Sequence, residues 1–169
     1  MNPFGGNCGG NYSAGSLLMN EISDADRTSA MGLLTDAKEM LAAAKLLHDS
    51  EVWKVQRPTY YLLGHSIEVA LKSFLLANGA SPGTLKKKLG HNLTKTARRV
   101  IAAKSNSVSP IVQEYLAAID LLNHYYQAKE LEYRVTGTKT FPAKETLIAL
   151  LDAVIPKIEP VAYQALRSK

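Results

Sequence analysis

Tyr61, His65, Glu68 and Lys72 stand four, three and four residues apart, a spacing that stacks side chains on one face of an α-helix. Their types suit proton transfer, since an imidazole titrates near neutrality and a buried carboxylate can be tuned towards it. The same four residues equally suit a structural role. Glu68 and Lys72 have the favoured i,i+4 ion-pair orientation, and a carboxylate taken out of water requires partners. Those partners must come from other segments of the chain. A structural polar network is the reading these residue types favour. A catalytic site would instead draw on Arg57, His65 and Glu68.

The element that must carry this line runs from Pro58 to Gly79. Pro58 has the fixed φ of a first helical turn, and Gly79 can adopt the left-handed conformation that ends one. Between them Tyr60, Leu63, Ile67, Ala70, Leu71 and Phe74 cover one flank, and Leu62, Val69 and Leu76 another. A helix apolar almost all round belongs in the middle of a bundle. Arg57 is expected just before this helix, with Glu51 to Arg57 as a connection plugged by Trp53.

A first helix is expected from Ser23, capped by Ser23 and Asp26, to about Ser50, with Leu34, Ala37, Leu41, Ala44 and Leu47 as its stripe. Ser81-Pro82-Gly83 marks a turn. A third helix follows over His91 to about Lys104, with Asn92 its cap and Leu93, Ala97, Val100 and Ile101 facing inward. Ser109-Pro110 signals the start of a fourth, reaching about Leu131 with Ile111, Tyr115, Ala118, Leu122 and Tyr125 in line. Tyr133 to Pro142 reads as a loop or short hairpin. A fifth helix, Ala143 to Ile155, should kink or restart at Pro156 and Pro160. With no alternating strand pattern, the fold class is all-α. The expectation is an up-and-down antiparallel bundle of four main helices plus a C-terminal helix, occupying residues 23–169 behind a Gly/Asn/Ser-rich tail at 1–22.

The chain has 169 residues, 46% of them hydrophobic, and a formal charge of +5. Charge is unevenly placed. Between Val69 and Gln113 there is no Asp or Glu, while Lys72, Lys86, Lys87, Lys88, Lys95, Arg98, Arg99 and Lys104 contribute +8, so the remainder sums to −3. Lys86, Lys87, Lys88, Lys95, Arg98 and Arg99 are therefore the binding candidates, for phosphate or for an acidic protein surface. Tyr60 and Tyr61 are possible stacking partners for a base.

Other chemistries lack their residues. The histidines at 48, 65, 91 and 124 form no metal-ligand spacing, and no metal or cofactor is expected. Gly5-Gly6-Asn7-Cys8-Gly9-Gly10 lacks the Lys-Ser/Thr of a phosphate loop, and there is no Gly-x-Ser-x-Gly elbow. Cys8 is the only cysteine, which excludes an internal disulfide and fits a cytoplasmic location. No apolar run is long enough for a bilayer, so no membrane partner is expected.

The segments His65-Ser-Ile-Glu68-Val-Ala-Leu-Lys72-Ser-Phe-Leu-Leu and Gly90-His91-Asn92-Leu93 together resemble the signature core of HEPN domains. Leu121-Leu122-Asn123-His124-Tyr125-Tyr126, Glu132-Tyr133-Arg134 and Phe141-Pro142 extend the resemblance, which spans roughly residues 25–155; through these pieces it implies His91, Asn123, Tyr126 and Arg134 as the partners of Glu68. It implies a bundle of four or five helices that commonly forms a homodimer. Members include RNA-cleaving toxins, partners of small nucleotidyltransferases, and degenerate copies used for binding. The ribonuclease members carry Arg, four to six residues, then His. Here Arg57 precedes His65 by seven intervening residues, and no other Arg has a His at the required distance. The expected function is a non-catalytic module holding RNA or a nucleotide, or an acidic protein partner. The alternatives are a ribonuclease or toxin with rearranged catalytic residues, and a structural partner in a toxin–antitoxin or defence complex.

Overall fold

The structure, a computed structural model, describes residues 28–50 and 56–167. The tail at 1–22, the Ser23/Asp26 cap, Cys8 and Trp53 lie outside the described residues. Those described form seven α-helices and one π turn, with no strand. The helices are α1 (Ala30–Asp49), α2 (Gln56–Ala77), α3 (Pro82–Thr84), α4 (Leu93–Ala102), α5 (Ser109–Glu114), α6 (Leu116–Gln127) and α7 (Lys144–Arg167). The π turn, Leu85–Leu89, links α3 to α4 and closes with Gly90 N–H donating to Leu85 O at 3.1 Å.

α2 lies at the centre. It packs against α1, α4, α6 and α7, and thirteen of its 22 residues are buried. Its apolar positions, including Leu63, Ile67, Leu71 and Phe74, are enclosed almost completely. Gly79 follows with φ of 88°, the left-handed turn that lets the chain leave a helix without Cβ strain. Arg57, expected before the helix, is its second residue. Pro58 is harmless there because first-turn N–H groups have no intrahelical acceptor.

The seam between α1 and α2 is made of small residues. Ala30, Ala37 and Ala44 recur every seven positions on α1, as do Thr59, Ser66 and Ser73 on α2, and all are buried. Ser66 Oγ donates to Ala37 O and Ser73 Oγ to Ala30 O, each at 2.7 Å. The pairing indices rise on one helix as they fall on the other, so the two helices run antiparallel. α1 opposes α7 in the same way, with Lys38 on Glu159 at 2.5 Å and Lys45 on Asp152 at 2.6 Å. A repeat of seven keeps the same faces together along a shallow crossing.

Four expectations need correction. α1 begins at Ala30, not near Ser23: Ser29 has extended backbone and its Oγ accepts from Gly32 N–H at 2.9 Å. The fourth helix is two, α5 and α6, interrupted at Tyr115 (φ −94°, ψ 8°). Ser109 does not cap it. Its hydroxyl donates to Val100 O at 2.9 Å and accepts from Ser105 N–H at 2.9 Å, tying the start of α5 to α4. The enclosed positions are Val112, Ile119, Leu122 and Tyr126, one off the expected line for all but Leu122. Lastly, α7 does not restart at Pro156 or Pro160 but continues through both as one helix, the longest among the described residues. Both prolines lie on its exposed side, where water can take the carbonyls left without a donor.

Candidate functional site

Glu68 is the hub of the polar line on α2. It is 2% exposed, and three donors reach it. Lys72 Nζ donates to Oε1 at 2.5 Å, Tyr126 Oη donates to Oε2 at 2.6 Å, and His91 Nδ1 lies 3.1 Å from Oε2. Lys72 also donates to Gly90 O at 2.7 Å. Gly90 has φ of 54° with ψ of −132°, backbone that only glycine adopts readily. That conformation turns the chain so that the carbonyl of residue 90 and the ring of residue 91 both face α2. His65 joins at one remove, its Nδ1 3.1 Å from Tyr126 Oη. Tyr61 stacks parallel to His65 with ring centroids 6.1 Å apart.

Burial alone would raise the Glu68 pKa, and it is the largest influence. The hydrogen bonds from Lys72 and Tyr126, the Lys72 charge and the His91 contact together outweigh it, holding the carboxyl below its ordinary value. Tyr126 is pushed the other way, first by its own burial and then by the Glu68 charge. The carboxylate is thus held ionised with its oxygens occupied, a poor general base and a strong structural anchor.

Two of the expected partners do not reach Glu68. Asn123 faces the start of α4, where its Oδ1 accepts from Leu93 N–H at 2.7 Å. Arg134 is exposed in the loop after α6 and makes no hydrogen bond or ion pair with Glu68. Arg57, His65 and Glu68 do not converge either. Arg57 Nη2 donates to Glu130 O at 2.9 Å, two turns and about 12 Å along the helix from His65. Tyr60 is spoken for as well: its hydroxyl donates to Pro142 O at 2.8 Å and its ring stacks on Phe141 at 4.5 Å.

The cations occupy two neighbouring segments. Lys86, Lys87 and Lys88 are exposed on the π turn, and Lys95, Arg98 and Arg99 on the outer side of α4. Among the described residues only Arg98 has an acidic neighbour, Asp120 at 3.9 Å. Asn92 caps α4, its Oδ1 accepting from Lys95 N–H at 2.7 Å. Gly64 has no counterpart in the sequence reading. A Cβ there would meet the Tyr126 ring at 2.6 Å, so this glycine is what lets the tyrosine lie against α2. A glycine inside a strongly helical pattern is the signal that could have found it.

No helix among the described residues is long and apolar enough to cross a membrane, and no three His, Cys, Asp or Glu side chains gather as a metal site would need. The chain matches no family model, no curated protein and no solved structure.

Proposed function

We propose that the chain is an HEPN-like, non-catalytic RNA-binding module that grips phosphates through Lys86, Lys87, Lys88, Lys95, Arg98 and Arg99. The observation that carries this is the contrast in how charge is used. Glu68 is enclosed and occupied by three donors, whereas six cations sit outside with a single distant carboxylate between them. Such a face attracts a polyanion and releases counterions on binding.

Support for the HEPN likeness comes from the way its separated sequence pieces meet. Glu68 and Lys72 touch Gly90 and His91, Asn123 holds Leu93, Tyr126 holds Glu68, and Tyr60 reaches Phe141 and Pro142. On this reading the helices follow the up-and-down plan, and the module pairs with a second copy, which sedimentation measures directly.

Labelled RNA tests the proposal. Engaging four phosphates of a single strand gives a log–log salt slope of about −2.8, so affinity should fall roughly 50-fold between 50 and 200 mM salt. Lys95→Glu with Arg98→Glu, both exposed, should weaken binding and flatten that slope by about 1.4. Binding indifferent to salt or to this pair of changes would sink the proposal. RNA incubated with wild type or His65→Ala should stay intact in both lanes of a gel. Cleavage by wild type alone would replace the binding module with a ribonuclease.

A further inference from the structure

A shallow, open depression of about 470 Å³ lies over one face of α6 and its C-cap, against Asp120, Asn123, His124, Gln127 and Ala128. Its bank is the basic helix itself. Thr94 Oγ1 donates to Asp120 Oδ1 at 2.6 Å, Arg98 stands 3.9 Å from Asp120 Oδ2, and Asn92 Nδ2 donates to Gln127 Oε1 at 2.7 Å. The depression and the α4 cations are therefore parts of one surface.

Its contents suit a nucleobase. The depression is too open to enclose a free nucleotide, but a single base can lie flat against it. Gln127 Oε1 also accepts from Asn123 Nδ2 at 3.3 Å, and this orientation turns the Gln127 amino group away from both asparagines. His124 is exposed, and its contact with Tyr125 is edge-to-face, with centroids 5.0 Å apart. At least one face of the imidazole is open to a stacking partner. Asp120, the one carboxylate present, already has both oxygens facing donors.

We propose that this depression receives one unpaired base of a single-stranded RNA whose phosphates lie on Lys95 and Arg98. The base stacks on His124 and presents its edge to the Gln127 amino group. The inference rests on the phosphate-binding reading above and narrows it, because a base held in a duplex keeps its faces stacked on its neighbours and cannot enter.

Fluorescence anisotropy with a labelled single strand and a duplex of equal length separates the two claims. Wild type should prefer the single strand. His124→Ala should weaken single-strand binding about tenfold, the worth of one base–aromatic stack, leaving the duplex affinity and the salt slope unchanged. His124→Phe, which keeps a flat ring, should restore it. Single-strand affinity unaltered in His124→Ala, with the salt slope intact, would overturn base docking in the depression and leave the phosphate surface standing. No RNA binding by wild type, or none lost in Lys95→Glu/Arg98→Glu, would remove both.

Discussion

Glu68 is expensive to enclose and informative to remove. Its absence would strand Lys72, which is only 12% exposed at its side chain, so Glu68→Ala should cost about 3 kcal/mol in denaturant unfolding. The pH dependence has a definite sign. Since the folded-state pKa lies below the ordinary 4.5, the contribution is fully present above that pH and is lost as acid carries the protein down through the folded value. Glu68→Gln should therefore flatten the acid limb of a stability–pH profile, and an unchanged limb would contradict the assignment. Gly64→Ala tests packing against propensity. Alanine is worth up to about 1 kcal/mol over glycine in a helix, but the Cβ would collide with Tyr126, and overpacking costs about 1–3 kcal/mol. Net destabilisation is expected in a thermal melt. The line Tyr61/His65/Glu68/Lys72 was legible because spacing alone puts residues on one helical face. The choice between Asn123 and Tyr126 was not. They sit three apart on α6, and which one reaches Glu68 depends on side-chain length and on where α4 starts.

At the level of helices, the close seam between α1 and α2 depends on side chains no larger than serine and threonine. Ala37→Leu would drive a branched side chain into the space where Ser66 meets the α1 carbonyl, at a cost of about 1–3 kcal/mol. Pro156 offers the opposite experiment. Pro156→Ala would restore a backbone donor to an unbroken helix, and the propensity gain of about 3 kcal/mol less the lost stiffening of the unfolded chain leaves about 2 kcal/mol of stabilisation. A raised melting temperature is the expected result. The existence of the long helices was readable from apolar periodicity, whereas α3 (Pro82–Thr84) fell where the sequence marks a turn. The break at Tyr115 was not readable, because the enclosed positions on either side of it, Val112, Ile119 and Tyr126, keep one seven-residue spacing. Nor was the passage of α7 through two prolines, whose tolerance depends on which side of the helix faces water.

Taken whole, the molecule divides its charges between an interior that neutralises itself and a basic face on the π turn and α4 that does not. The excess over Val69 to Gln113 could be counted directly in the sequence. Its division between a π turn and α4 could not, since a π turn leaves no mark on side-chain spacing over five residues. The cationic segments are moored to the core at Gly90 and His91, through Lys72 and Glu68. Loss of that mooring in Glu68→Ala should therefore weaken the proposed RNA binding as well as stability, though all six surface cations remain. Anisotropy on the folded variant, at a temperature well below its melting point, checks this.

The sevenfold recurrence on α1 has an awkward side. Sliding that helix by one repeat, about 10 Å, would again set alanine against serine and lysine near a carboxylate, so its two neighbours alone do not choose a unique alignment. The short tether of six residues, 50–55, between Asp49 and Gln56 limits how far the two helices can slip. Ten Gly/Ser residues inserted there should cost only about 0.9 kcal/mol in loop closure, but should add a slow refolding phase as chains trapped one repeat out of step find their way back.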